Sequence, residues 1–106
     1  RDPYVSHAMA LLHKRVGDCW TMGALAKEVG LSRSALAERF CKLIGMPPMQ
    51  YLASWRIHVA AHELVNSHKS ILQVAQEVGY ESEASFTRAF KRLMSAPPAT
   101  WRRSRI

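Results

Sequence analysis

The segment beginning at Phe40, FCKLIGMPPMQYL, returns from Phe90 as FKRLMSAPPATWR. Phe40 pairs with Phe90, Leu43 with Leu93, Pro47-Pro48 with Pro97-Pro98 and Tyr51 with Trp101, all at an offset of 50. Upstream, LAKEVGL at 25–31 matches VAQEVGY at 74–80 at an offset of 49. The second copy therefore holds one more residue between Gly79 and Phe86 than the first holds between Gly30 and Leu36. Two copies are too few for a solenoid, so the repeat predicts a tandem pair of similar units, the second with a turn one residue longer.

Each copy reads as helical from its period and punctuation. Thr21 is placed to N-cap a helix with Leu25, Ala26 and Val29 on one face, stopped by Gly30. Ser32 opens the next helix, whose Leu36, Phe40 and Leu43 are expected inward before Gly45 ends it. In the second copy Ser70 and Gln73 form a capping box ahead of Val74, Ala75 and Val78, and Gly79 stops that helix. Ser82 then caps a helix expected to bury Phe86, Phe90 and Leu93. Asp2-Pro3 reads as an N-cap followed by Pro at the first helical position, with Val5, Met9, Leu12 and Val16 inward. Pro48 opens a long helix to about Ser67, and Pro98 a short final one. No stretch alternates as a strand does, so the fold class expected is all-α. It has seven helices forming two tandem helix-turn-helix units joined by a long linking helix, with boundaries at 1–46, 47–67 and 68–106.

A helix-turn-helix needs a small residue where its helices cross, a residue tolerant of positive φ in the turn, and a large apolar anchor on the second helix. Ala26, Gly30 and Leu36 fill these roles in the first copy; Ala75, Gly79 and Phe86 fill them in the second. One such match occurs in many enzymes. Two in one chain, each followed by a basic, aromatic-anchored helix, point to DNA. With Leu36 and Phe40 inward at 100° per residue, Ser34, Glu38, Cys41 and Lys42 point away, flanked by Ala35 and Ala37. With Phe86 and Phe90 inward, Ala84, Arg88 and Lys91 point away, flanked by Ser85, Thr87 and Arg92.

Charge agrees. Fifteen Lys and Arg against eight Asp and Glu give +7, and no acid follows Glu83, while Arg88, Lys91, Arg92, Arg102, Arg103 and Arg105 all do. Arg88 carries a fork suited to guanine O6 and N7, with Thr87 or Ser85 as lesser partners. On the first reading helix, Glu38 either accepts from cytosine N4 or turns back to Arg39 or Lys42, and alanines can touch a thymine methyl. The second copy is thus expected to read bases more sharply. A linking helix from Pro48 to Ser67 would run about 30 Å, close to the roughly 34 Å between successive major grooves. Tandem rather than two-fold copies predict an asymmetric site.

The residues GYESEASFTRAFKRLMSAPPATWR at 79–102 and RIHVAAHELV at 56–65 closely resemble the C-terminal DNA-binding domain of the AraC/XylS family of bacterial transcription regulators. The resemblance covers essentially the whole chain. It implies seven helices, a recognition helix in each half, and activation or repression of nearby promoters, which makes RNA polymerase a candidate partner besides double-stranded DNA. By position, it implies base-facing roles for Ser34, Ala35, Ala37, Glu38, Ala84, Ser85, Thr87 and Arg88, and phosphate-facing roles for Ser32, Arg33, Lys42, Ser82, Lys91 and Arg92. It also implies a cytoplasmic, nucleoid-associated protein without a cofactor and a sensing or dimerisation domain outside this segment, which its tandem copies lead us to expect as a monomer. One departure is Ser95, standing where the family usually has a helix-ending Gly, so the last turn is expected to close differently.

The remaining readings are weaker. His58 and His62, four apart on the linking helix, are the nearest approach to a metal pair, but His58 is followed by Val59 rather than Glu and no third ligand is apparent. Cys19 and Cys41 are too few for a disulfide framework or a four-cysteine zinc site and read as reduced thiols. Cys41 lacks an evident base. No catalytic residue is therefore expected. No apolar run approaches the roughly 18–20 residues of a membrane span, and no signal peptide is seen. A sequence-tolerant architectural DNA binder, or a protein-interaction module using Trp20, Trp55 or Trp101, remain alternatives, although the repeat position Trp101 shares with Tyr51 favours core packing.

Overall fold

The computed structural model describes residues 1–105 and contains, in chain order, α1 Pro3–Lys14, α2 Met22–Val29, α3 Arg33–Ile44, α4 Pro48–Asn66, α5 Ile71–Glu77, α6 Glu83–Met94 and α7 Pro98–Ser104. No strand occurs among the described residues. The chain divides into two compact units, Arg1–Leu52 and Ala53–Ile106. Among the described residues no helix is long and apolar enough to cross a membrane.

In the first unit, Asp2 caps α1 by accepting from the amides of Tyr4 and Val5, with Pro3 at the first helical position. Its other carboxylate oxygen takes the Arg39 guanidinium at 2.8 Å, and that cation also lies over the Tyr4 ring. The hydrogen bond from Arg39 holds the Asp2 carboxyl below the usual carboxylate range. Val5, Ala8 and Leu12 from α1 meet Leu25, Ala26 and Val29 from α2 and Leu36 and Phe40 from α3 in one buried cluster. Val16 lies beyond the end of α1, which stops at Lys14 with Arg15 as its cap, and is half-buried in the following turn. Trp20 also belongs to this cluster and donates its indole N–H to the Arg15 carbonyl.

In the second unit, Ile57, Ala60, Ala61 and Leu64 of α4 pack with Val74, Ala75 and Val78 and with Phe86, Ala89 and Phe90 of α6. The capping box of α5 is present in both directions, Ser70 accepting from the Gln73 amide and Gln73 from the Ser70 amide. Trp101 packs against this core and donates its indole N–H to the Ala61 carbonyl at 3.4 Å. Lys69 bridges Glu63 at 2.6 Å and Glu77 at 3.0 Å, so the Glu63 carboxyl is lowered and the Lys69 ammonium raised.

Two expectations need correction. Leu43 and Leu93 are not inward: they are 52% and 42% exposed, and Ile44 and Met94 pack against the clusters in their place. The buried row follows a spacing of four, 36–40–44 and 86–90–94. Each step drifts about 40° round the helix and carries the row off the 43/93 side by the last turn. Ser95 does not change how α6 ends. It adopts φ 65°, ψ 15° and donates its amide to the Lys91 carbonyl at 2.9 Å, the closure that Gly45 makes to Cys41 at φ 95°, ψ 0°. Arg102 of the basic tail, to which the sequence assigned no direction, points inward. It is half-buried, its Nε donating to the Leu64 carbonyl at 2.8 Å and its Nη2 to that of Ser67 at 3.5 Å, near the end of α4.

Candidate nucleic-acid interface

Each reading helix is set by the same turn. Gly30 and Gly79 take left-handed backbone conformations at φ 84° and 100°. The residue after each, Leu31 or Tyr80, returns its amide to the carbonyl of Ala26 or Ala75 at 3.0 and 2.9 Å, closing a Schellman motif. These acceptors are the small residues of the first helix, buried together with the anchors Leu36 and Phe86. Two steps separate Gly30 from the cap Ser32, and three separate Gly79 from the cap Ser82, so the extra residue of the second copy lies in the turn.

On α3 the structure leaves Ser34, Glu38, Cys41 and Lys42 exposed and Ala35 and Ala37 half-buried. Ser32 and Arg33 are exposed at its start, where the Ser32 hydroxyl accepts from the Ala35 amide at 3.1 Å. Arg39 is engaged with Asp2, and among the described residues Glu38 has no ion pair. On α6, Ala84, Arg88, Lys91 and Arg92 are exposed and Ser85 and Thr87 half-buried. Ser82 accepts from the Ser85 amide at 3.1 Å and donates its hydroxyl to Ser85 Oγ, and Ser85 donates back to the Ser82 carbonyl. The Ser85 hydroxyl is thus turned onto its own cap. Among the described residues no carboxylate pairs with Arg88, Lys91 or Arg92. That leaves three cations on consecutive outward positions of one helix.

Two cationic side chains absent from the expected set bear on this head. Arg56 lies beside the Gly79 turn, and Arg102 caps the Leu64 carbonyl of α4. Burial raises the Tyr80 phenol, against the charges of Arg56 and Arg92. The only sequence signal for Arg56 is a lone cation beside an inward Ile57, which does not disclose a partner 23 positions away. His58 is exposed, its Nδ1–H donating to the Ser54 carbonyl at 2.8 Å. Asn66 donates to the His62 carbonyl at 2.9 Å. Among the described residues no group of three His, Cys, Asp or Glu converges as a metal site would require. Both cysteines are free and exposed.

The fold, with its two Schellman-closed turns and the cationic outer row of α6, defines a helix-turn-helix protein, and the family model described as a helix-turn-helix domain matches residues 25–104. The chain belongs to that family, in its AraC-type branch of transcription regulators, which are not enzymes. A Streptomyces lividans protein named as an AraC-like regulator is 39% identical over 102 residues, covering 96% of this chain and 34% of its own length. The chain thus spans about a third of the length of the curated relatives it matches. Among solved structures, the C-terminal domain of AraT, a response regulator from Geobacillus stearothermophilus, superposes with a TM-score of 0.96 at 26% identity, covering 99% of this chain and 88% of that one. The DNA-binding domain of AdpA, solved with a target DNA, gives 0.92 at 27% identity, covering 98% and 93%.

Proposed function

We propose that this chain binds double-stranded DNA as one asymmetric reader, with α3 and α6 in neighbouring major grooves and α6 carrying the sharper base readout. The observation that carries the reading is the outward row Arg88, Lys91 and Arg92, exposed and without an acidic partner among the described residues, on the second helix of a helix-turn-helix. Arg88, nearer the helix start, offers a bidentate fork to guanine; Lys91 and Arg92, a turn later, reach phosphates. Ser82 and, on the other head, Ser32, Arg33 and Lys42 complete the phosphate set. Ala84, Ser85 and Thr87, with Ser34, Ala35, Ala37 and Glu38, line the base-facing sides. The length of α4 supports docking in adjacent grooves: 19 residues make about 28 Å, against about 34 Å between grooves. The proposed boundaries are 1–46, 47–67 and 68–106. This segment acts as a monomer, within a longer bacterial cytoplasmic regulator that works at promoters alongside RNA polymerase.

Selection of bound sequences from randomised duplex DNA at one fixed salt concentration tests this. An elongated site without two-fold symmetry is expected. Arg88→Ala should lose about 1–3 kcal/mol and relax preference at one or two base pairs. A palindromic site, unchanged preference in Arg88→Ala, or specific affinity no better than non-specific affinity would each overturn it; the last would leave a sequence-tolerant architectural binder.

A further inference from the structure

We infer that Arg56 is a positioning residue for the second reading helix, holding the Gly79–Tyr80 turn in the one conformation that presents α6 to bases; this rests on the proposal that α6 reads bases. A methyl group added at Gly79 would lie 2.7 Å from Arg56 Cζ, 2.8 Å from Nη2 and 3.0 Å from Nε, so the guanidinium is laid against the turn backbone itself. The corresponding Gly30 has nothing within 4 Å of the same added atom. This difference falls where the turns differ in length. The three steps from Gly79 to the Ser82 cap add one pair of backbone torsions to the two steps from Gly30 to Ser32, and each added pair is freedom that something must remove. Beyond Gly79 the next residue, Tyr80, is held at both its backbone and its ring. The Tyr80 amide is tied to the Ala75 carbonyl, and the Tyr80 ring meets Phe86 edge-on at 5.6 Å between centroids. Phe86 is fully buried two residues before Arg88. Guanidinium, glycine backbone, tyrosine ring and phenylalanine anchor therefore form one continuous packed path from α4 to the base-facing side chain.

Binding-site selection with the 106-residue chain at fixed salt, on wild type, Arg56→Met, Arg56→Lys and Arg88→Ala, tests this, with thermal melts of each variant. Arg56→Met should lower discrimination about tenfold at the base pairs that Arg88→Ala relaxes, and leave preference elsewhere intact. Arg56→Lys, which keeps the charge but has no planar fork, should lose part of the same discrimination. If Arg56→Met fails to fold, Arg56→Lys alone decides: wild-type preference in it overturns the inference. Uniform weakening at every base pair in step with melting temperature also overturns it, because that is what a purely structural role gives. If Arg88→Ala itself leaves preference unchanged, the reading of α6 fails first.

Discussion

In the first unit the anchor of the reading helix is Leu36, and the cluster around it is aliphatic apart from Phe40, with Tyr51 and Trp20 at its margin. In the second the same place holds Phe86. A line of rings runs Tyr80, Phe86, Phe90, Trp101, with centroid spacings of 5.6, 5.6 and 6.0 Å and tilted or edge-on contacts, the arrangements that aromatic quadrupoles favour. Outward from the anchors, α3 shows Ser34, Glu38, Cys41 and Lys42, one acid against one base, with exposed Arg33 in its first turn, and α6 shows Ala84, Arg88, Lys91 and Arg92, three bases, with exposed Glu83 in its first turn. Yet the caps and the Schellman closures are alike in both. The backbone hydrogen bonds of the turn are the part a duplicated unit keeps. Anchor size and face charge are free to diverge, because each answers to its own core or its own ligand.

Four measurements break or sharpen that comparison. The largest difference is expected at the turn glycines. Gly30→Ala meets only the strain of a positive φ, about 1 kcal/mol, whereas Gly79→Ala must also push aside the guanidinium end of Arg56 and should cost about 1–2 kcal/mol in urea unfolding. Equal losses would mean that the guanidinium yields without cost. Next, Arg102→Ala should lower stability by about 1–2 kcal/mol through the abandoned carbonyls of Leu64 in α4 and Ser67 just past its end, while leaving the salt dependence of DNA binding alone. Lys91→Ala should do the reverse, reducing the slope of log affinity against log salt by about 1 at unchanged stability. Ser95→Gly should raise the thermal midpoint by an increment worth about 0.5–1 kcal/mol, since the serine holds a conformation that glycine adopts without strain. The smallest effect concerns acid. Asp2 and Glu63 both titrate below their ordinary values, so the stability each contributes is fully present above about pH 4 and fades as pH falls through the depressed folded value. Asp2→Asn, which keeps a helix-capping oxygen, and Glu63→Gln should each flatten the acid limb of a stability titration, less so at high salt because both pairs are partly open to solvent.

What the sequence made legible is local. Serine, threonine and aspartate ahead of apolar periods mark the starts of α1, α2, α3, α5 and α6, and Gly30, Gly45 and Gly79 mark the ends of α2, α3 and α5 to within a residue or two, since caps and breakers act through the nearest amides and carbonyls. The helix-turn-helix roles of Ala26, Gly30, Leu36 and their second-copy partners were legible because two copies must meet the same requirement. Long-range partners were not. That Arg39 turns to Asp2 rather than Glu38, or Arg102 to Leu64, depends on helix crossings that no window of residues contains. Leu43 and Leu93 failed for a related reason: a wheel shows the drift of the row but not which side of it the neighbouring helices cover by the last turn. On the reading faces, exposure was legible for Arg88 and Lys91, while the return of the Ser85 hydroxyl to its own cap was not.

The role of Arg102 also bears on how far the molecule can be shortened. A version trimmed after Met94 would retain both reading helices and nearly all of the buried clusters, and by inspection of the motif alone it would be judged complete. It would nonetheless leave the Leu64 and Ser67 carbonyls without their cation and the Phe90 ring without Trp101 over it. The last turn of α4 would then fray from its negative end. The short α7 thus works as a clasp, and the smallest dependable fragment for spectroscopy or display runs past Arg102.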